Sequence, residues 1–214
     1  MVMKAVVFDM DGVIIDSEYS YFEATRRVLK EEGVEKFEME DFIDSIGKTD
    51  HAAWSVLVEK YHLQTPMQEM IDRMKEYQKE VVKRDGFLPI DGVKDYIRSL
   101  SEQGFKLAVA SSSPKDTIER VTRALDIQQY FDALVSGEEV EESKPAPDVY
   151  LEAARQLEVE PKECIAIEDA YNGLLAAKAA GMYAVAFESG KYPGIDLSPG
   201  DEVIQSMTEA PHFK

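Results

Sequence analysis

The 214-residue chain has a single cysteine, Cys164. One thiol cannot form a disulfide within the chain, and it cannot supply the several thiolates of a cysteine-based zinc site. Basic residues are also few, since 24 lysines and arginines stand against 42 aspartates and glutamates and leave a formal net charge of −18. A surface this acidic repels a phosphate backbone, which argues against nucleic acid as a partner.

Long hydrophobic runs are absent as well. No apolar stretch approaches the length of a membrane span, and Asp9 comes too early in the chain for a signal peptide. We therefore expect a cytoplasmic protein that does not contact membranes, and we expect a monomer. Hydrophobic residues make up 44% of the chain, which excludes a wholly disordered protein. At about 150 residues per domain, the length predicts one full domain and part of a second.

Five short apolar runs predict β-strands that are covered on both faces, because their apolarity is continuous rather than alternating. The runs are residues 5–8, 107–110, 133–135, 164–167 and 183–187. From residue 92 onward, stretches with helical spacing lie between these runs, so that strand and helix alternate. This alternation predicts an α/β fold with a doubly wound parallel sheet.

Residues 17–87 break this alternation. The segment has no convincing strand, and its apolar residues recur at helical spacing, as Met67, Met70 and Met74 do. Such a methionine stripe is more typical of core packing than of a cofactor site. The chain is therefore predicted to have two domains, an α/β catalytic core of residues 1–16 and 88–214 and a small helical domain of residues 17–87.

Polar groups follow the predicted strands of the core. Because the carboxyl ends of parallel strands share one edge of a sheet, we expect these groups to meet there. Considered singly, each of these polar groups also has an ordinary structural explanation, as part of a turn, as a helix cap or as a solvated lysine. All of them together, in order and at strand ends, favour one functional site. In chain order they are Asp9 and Asp11, Ser111 to Ser113, Lys144, and Glu168 with Asp169.

These residue types indicate phosphoryl transfer. Gathered carboxylates need a cation, and an all-oxygen ligand set favours Mg²⁺. A cation beside a lysine and a serine can receive a phosphoryl group, whose transfer needs charge neutralisation and in-line positioning. An aspartate can attack phosphorus to form an aspartyl-phosphate. A second carboxylate two residues further along extended chain points to the same side and can act as acid and base.

Four segments resemble the ordered motifs of the haloacid dehalogenase superfamily, in particular its β-phosphoglucomutase-like branch. They read FDMDGV at 8–13, ASSS at 110–113, SKPAPD at 143–148 and IED at 167–169. The resemblance implies that the helical domain is a cap inserted after the first motif. It also implies the following roles: Asp9 as nucleophile, Asp11 as general acid and base, Ser111, Ser112 and Lys144 as phosphate binders, and Mg²⁺ held by Asp9, the Asp11 carbonyl and Asp169, with Glu168 bound directly or through water.

The cap domain would select the substrate. The segment IGKT at 46–49 resembles the substrate-specificity loop of the family, in which Gly47 and Lys48 could meet a second anionic group. A solvent-facing lysine in a turn explains Lys48 equally well. Arg73, on the methionine-rich helix, is a weaker candidate for substrate binding, because most arginines on helices are solvated.

The resemblance leaves a choice between phosphatase and mutase. A β-phosphoglucomutase would carry a cap histidine shortly after the first motif, and the stretch DSEYSY at 16–21 has none. We therefore predict a Mg²⁺-dependent phosphatase that hydrolyses small phosphorylated metabolites, such as sugar phosphates, through an aspartyl-phosphate. The alternative is a mutase that interconverts β-glucose 1-phosphate and glucose 6-phosphate. A non-catalytic binding or regulatory protein ranks lower, because no charged motif residue is lost.

Overall fold

The computed structural model describes residues 2–46, 49–192 and 194–208. The chain divides into two units, one of residues 1–16 and 89–214 and the other of residues 17–88. We call the first the core unit and the second the helical unit.

The core unit contains one sheet of six parallel strands in the order β3-β2-β1-β4-β5-β6. The strands are β1 (Ala5–Phe8), β2 (Lys106–Ser111), β3 (Ala133–Ser136), β4 (Cys164–Glu168), β5 (Tyr183–Phe187) and β6 (Glu202–Ile204). The first five coincide with the five predicted apolar runs. The sixth was not predicted, because it has only three residues and buries only Ile204. The prediction of a doubly wound parallel α/β sheet is confirmed.

Eight α-helices are assigned in the described part of the chain. The helical unit holds α1 (Ser17–Glu31), α2 (Met39–Phe42), α3 (Asp50–Tyr61) and α4 (Met67–Asp85). The core unit holds α5 (Val93–Glu102), α6 (Lys115–Ala124), α7 (Asp148–Leu157) and α8 (Tyr171–Ala179). None of these helices combines the length and the apolar composition that a membrane span requires.

The central strand shows why the sheet sequence is continuously apolar. Val7 belongs to a buried cluster that includes Tyr150 of α7 and Leu174 of α8. Phe8 points to the opposite face, where its ring meets the rings of Tyr96 and Phe131 edge-on at 6.1 Å. Both faces of the strand are therefore covered, and burial of a side chain such as Phe8 contributes about 1.5–3 kcal/mol to folding.

The helical unit has its own apolar core. The ring of Phe22 stacks on Phe37 at 5.7 Å, and the buried indole of Trp54 belongs to the same cluster. Met70 and Met74 are buried in this cluster as well. The methionine stripe of α4 therefore packs the interior of the unit, as its helical spacing indicated.

Candidate active site

The sheet register brings the first motif beside the fourth. Phe8 of β1 pairs with Val109 of β2 and with Ile167 of β4. Asp9, one residue past β1, therefore lies level with Glu168 at the carboxyl end of β4, and its backbone N–H donates to the Ile167 carbonyl at 2.9 Å. Asp9 is buried, with 6% of its surface exposed. The strand ends thus bring two carboxylates together away from bulk water.

Lys144 lies between these two carboxylates. Its ammonium donates to Asp9 Oδ1 at 2.5 Å, to Glu168 Oε1 at 2.6 Å and to the Ala110 carbonyl at 3.0 Å. The side chain is 8% exposed. An ammonium has three N–H donors, and these three acceptors use all of them. The lysine after the third strand is therefore fixed at the carboxyl ends of β1, β2 and β4.

Gly12 leaves room for the Asp169 carboxylate beside the first motif. The structure has no space for a Cβ at Gly12, because that atom would overlap the Asp169 carboxylate. Gly12 also has a φ of +85°, in the left-handed region that glycine adopts without strain. The glycine of the first motif thus both turns the chain after Asp11 and admits the carboxylate of the fourth motif.

The second motif contacts Asp11 through Ser113. The Ser113 hydroxyl donates to Asp11 Oδ2 at 2.8 Å, and its backbone N–H donates to Ser111 Oγ at 3.0 Å. Ser111 is buried at the end of β2, whereas Ser112 is exposed. The serine that holds Asp11 is therefore Ser113. The sequence analysis gave this serine no specific role, although it belongs to the ASSS segment.

Burial is the largest single influence on the pKa values of Asp9 and Lys144. Desolvation raises the pKa of Asp9 above its ordinary range, opposed by the adjacent ammonium of Lys144 and assisted by the charges of Glu168 and Asp11. Desolvation lowers the pKa of Lys144, but the charges of Asp9 and Glu168 outweigh it, and the net effect is a raised pKa. Lys144 therefore stays charged, and a carboxylate at Asp9 needs positive charge beside it.

Three carboxylates lie close enough together to hold a cation. Asp9, Glu168 and Asp169 each offer a carboxylate oxygen, and these three atoms lie within 4.8 Å of one another. Hard oxygen donors at this spacing suit a small divalent cation. The residues present therefore fit the metal that the sequence predicted.

The predicted cap residues have different outcomes. Gly47 and Lys48 lie outside the described residues. Arg73 forms ion pairs within the helical unit, to Glu31 Oε2 at 3.2 Å and to Glu32 Oε1. Glu32 also accepts from the Thr65 hydroxyl at 2.7 Å. The structure thus places Arg73 in a charged network that links α1 to α4.

Sequence reasoning missed two further residues at this edge of the sheet. Tyr150, on α7, is buried and donates its hydroxyl proton to Glu168 Oε1 at 2.8 Å. Gly173, on α8, lies against the Glu168 carboxylate. Both stand at spacings typical of helix interiors, so nothing in their sequence positions separated them from ordinary core residues.

Comparison with known proteins assigns the family. Residues 6–187 match the model of the haloacid dehalogenase-like hydrolases. The chain is 36% identical over 182 residues to a phosphorylated carbohydrates phosphatase of Thermotoga maritima, covering 84% of this chain and 82% of the relative. It is 32% identical over 195 residues to a β-phosphoglucomutase of Bacillus subtilis, covering 88% of this chain and 85% of that one.

A solved structure agrees with this assignment. The crystal structure of a haloacid dehalogenase family hydrolase from Deinococcus radiodurans, which holds phosphate and sodium, matches with a TM-score of 0.84 at 25% identity. The match covers 97% of this chain and 93% of that one. The chain belongs to the haloacid dehalogenase-like hydrolase family, as its four motifs predicted, and its relatives include the predicted β-phosphoglucomutase-like branch. The predicted enzyme class, phosphoric monoester hydrolase, is confirmed.

Proposed function

We propose that the protein is a Mg²⁺-dependent phosphatase that hydrolyses small phosphorylated carbohydrates through an aspartyl-phosphate on Asp9. The observation that carries the proposal is the position of Lys144, which touches Asp9 and Glu168 where three strands end. The similarity to a phosphatase of phosphorylated carbohydrates supports the substrate class. We also propose that the core unit is the catalytic domain and the helical unit its cap domain.

Asp9 is the proposed nucleophile. Lys144 donates to Oδ1, so we assign the attack to Oδ2. The ammonium neutralises the carboxylate and lowers its repulsion of the incoming phosphoryl group. A bond forms between Oδ2 and phosphorus while the ester P–O bond breaks, and the leaving alkoxide receives a proton from Asp11. The alcohol departs and the phosphoryl group stays on Asp9.

Asp11 completes the cycle as general base. It removes a proton from a water molecule that attacks phosphorus, and the bond between phosphorus and Asp9 breaks to release inorganic phosphate. Ser113 occupies Oδ2 of Asp11, which leaves Oδ1 for both proton transfers. Ser111 and Ser112, at the end of β2, are the proposed donors to the phosphoryl oxygens.

The metal would be held by the carboxylates of Asp9 and Asp169 and by the main-chain carbonyl of Asp11, with Glu168 adjacent. When bound, Mg²⁺ stabilises negative charge on the transferring phosphoryl group. These residues would hold it at one edge of the sheet, because Gly12 leaves room for the Asp169 carboxylate and β1 carries Asp9 to the same edge.

A phosphomutase is the second candidate, because a β-phosphoglucomutase is among the relatives. A mutase must keep water from its phosphoenzyme, whereas a phosphatase needs only that Asp11 activate water. The stretch 16–21 has no histidine where a β-phosphoglucomutase would carry one. This difference favours hydrolysis over transfer to a second sugar oxygen.

A substrate panel tests the proposal. The purified protein with MgCl₂ should release inorganic phosphate from several sugar phosphates, and Asp9→Asn should abolish the release. Asp95→Asn is the matched control, because the Asp95 side chain is 84% exposed on α5, and it should retain full activity. Interconversion of hexose phosphates primed by a bisphosphate, with little free phosphate, would favour the mutase instead. No turnover across the panel would contradict both.

Location and assembly stay predictions. We propose a cytoplasmic monomer that binds no nucleic acid, in keeping with the net charge of −18. Size-exclusion chromatography with light scattering tests the monomer directly, since a dimer would double the mass of 24.1 kDa.

A further inference from the structure

The carboxylate of Glu168 is enclosed by hydrogen-bond donors. Oε1 accepts from the Tyr150 hydroxyl at 2.8 Å and from the Lys144 ammonium at 2.6 Å. Oε2 accepts from the backbone N–H groups of Asp169 at 3.1 Å and Ala170 at 3.3 Å. The side chain is 2% exposed. A carboxylate with this many donors is fixed in position, because moving it would leave buried groups unpaired.

Helix α8 leaves space for the same carboxylate at Gly173, and we call this space the cradle. A Cβ at Gly173 would overlap both oxygens of Glu168. Gly173 is buried and lies inside α8, where glycine is less favourable than alanine. The presence of a glycine at this helical position is explained by the space that the Glu168 carboxylate occupies.

The position of Lys144 depends on this arrangement. Glu168 is one of three acceptors that hold the ammonium, together with Asp9 and the Ala110 carbonyl. The centre of the Tyr150 ring lies 5.0 Å from Lys144 Nζ. Tyr150 therefore contacts both Glu168 and Lys144. A shift of Glu168 would therefore move Lys144 relative to Asp9.

We propose that Tyr150 and Gly173 are positioning residues, which hold Glu168 so that its Oε1 fixes Lys144 against Asp9. The inference rests on the proposed function in that Lys144 then acts on the phosphoryl group. Tyr150 and Gly173 both contact Glu168, which connects the packing of α7 and α8 to the reacting carboxylate.

Removal of the Tyr150 hydroxyl tests the first half of the proposal. Tyr150→Phe should lower kcat/KM on a sugar phosphate about tenfold, the usual consequence of losing one hydrogen bond to a charged group. We expect both a lower kcat and a higher KM at a temperature where circular dichroism shows the variant folded. Tyr183→Phe is the matched control, because Tyr183 donates to Glu202 on β6, and it should leave both constants unchanged. A lower Tm with unchanged kcat and KM would overturn the role of Tyr150.

Gly173→Ala tests the second half, with a readout that needs no activity. In the native background the added methyl should crowd Glu168 and lower Tm. In a Glu168→Ala background the space is empty, so the better helix propensity of alanine should raise Tm instead. If Glu168→Ala does not fold, Glu168→Asp withdraws the carboxylate and serves as the second background. A rise in Tm on Gly173→Ala in the native background would overturn the cradle.

These readouts separate the inference from the proposed function. If the native protein releases no phosphate from any substrate, the phosphatase proposal fails, whereas the opposite Tm shifts still establish the cradle. If the native protein is active and Gly173→Ala is both more stable and fully active, the inference fails alone.

Discussion

Ser113 and Asp11 are joined by a hydrogen bond of 2.8 Å from the serine hydroxyl to Oδ2 of the carboxylate. The two residues come from different motifs, since Ser113 follows β2 and Asp11 follows β1. Ser113 is held in turn by its neighbours, because its carbonyl accepts from the Ser136 hydroxyl at 2.7 Å. The second motif therefore orients the carboxyl group that we propose moves the protons.

Ser113→Ala should slow the reaction without weakening substrate binding. Loss of the hydroxyl frees the Asp11 carboxyl to rotate, so we expect kcat to fall about tenfold, as for one hydrogen bond to a charged group. KM should stay within about twofold, because Ser113 is not a proposed phosphate binder. Steady-state kinetics of phosphate release measure both constants. Ser198→Ala, at an exposed position, is the control, and a rise in KM alone would mean that Ser113 binds substrate instead.

Mg²⁺ should stabilise the folded protein. A ligand that binds only the folded state at about 100 times its Kd contributes about 2.7 kcal/mol. We therefore expect MgCl₂ to raise Tm and EDTA to reverse the rise. Asp169→Asn should remove most of this response, because it takes away a negative ligand. Differential scanning fluorimetry with and without the metal measures the shift. An equal Tm rise in Asp169→Asn would place the cation elsewhere.

Arg73→Met separates a structural role from substrate binding. The guanidinium pairs with Glu31 and Glu32 inside the helical unit, and its side chain is 28% exposed. We expect the free energy of unfolding to fall by about 1 kcal/mol, the upper end for partly exposed pairs. Activity on each substrate should be unchanged. Urea denaturation and kinetics give the two values, and a higher KM with unchanged stability would support the predicted substrate contact.

The sequence carried enough information for the sheet and for most of the site. The apolar runs that form β1 to β5 are covered on both faces, so composition alone marks them, and parallel strands bring Asp9, Lys144 and Glu168 to one edge. The sequence alone could not distinguish Tyr150 or Gly173 from other core residues, because their contacts with Glu168 depend on how α7 and α8 pack against the sheet. Strand β6 is too short and too exposed to leave a hydrophobic signal.

Cys164 should resist thiol reagents in the folded protein. It is buried at the start of β4, and desolvation raises its pKa from the ordinary 9.0 to about 11. At pH 8 the thiolate fraction is then about one in a thousand, and the thiolate is the reactive form. We expect Ellman's reagent to label the native chain slowly and the urea-unfolded chain at once.

The same pKa shift has a consequence for stability. Because the folded state disfavours the thiolate, the protonated Cys164 thiol contributes to the free energy of unfolding. This contribution is complete below pH 9.0, the ordinary pKa. It is lost as the pH rises toward about 11, the raised value. Cys164→Ala removes the ionising group, so its Tm should fall less than that of the native chain between pH 8 and about pH 10.5. Rapid labelling of the native chain at pH 8 would contradict both expectations, because it would require an accessible thiol with an ordinary pKa.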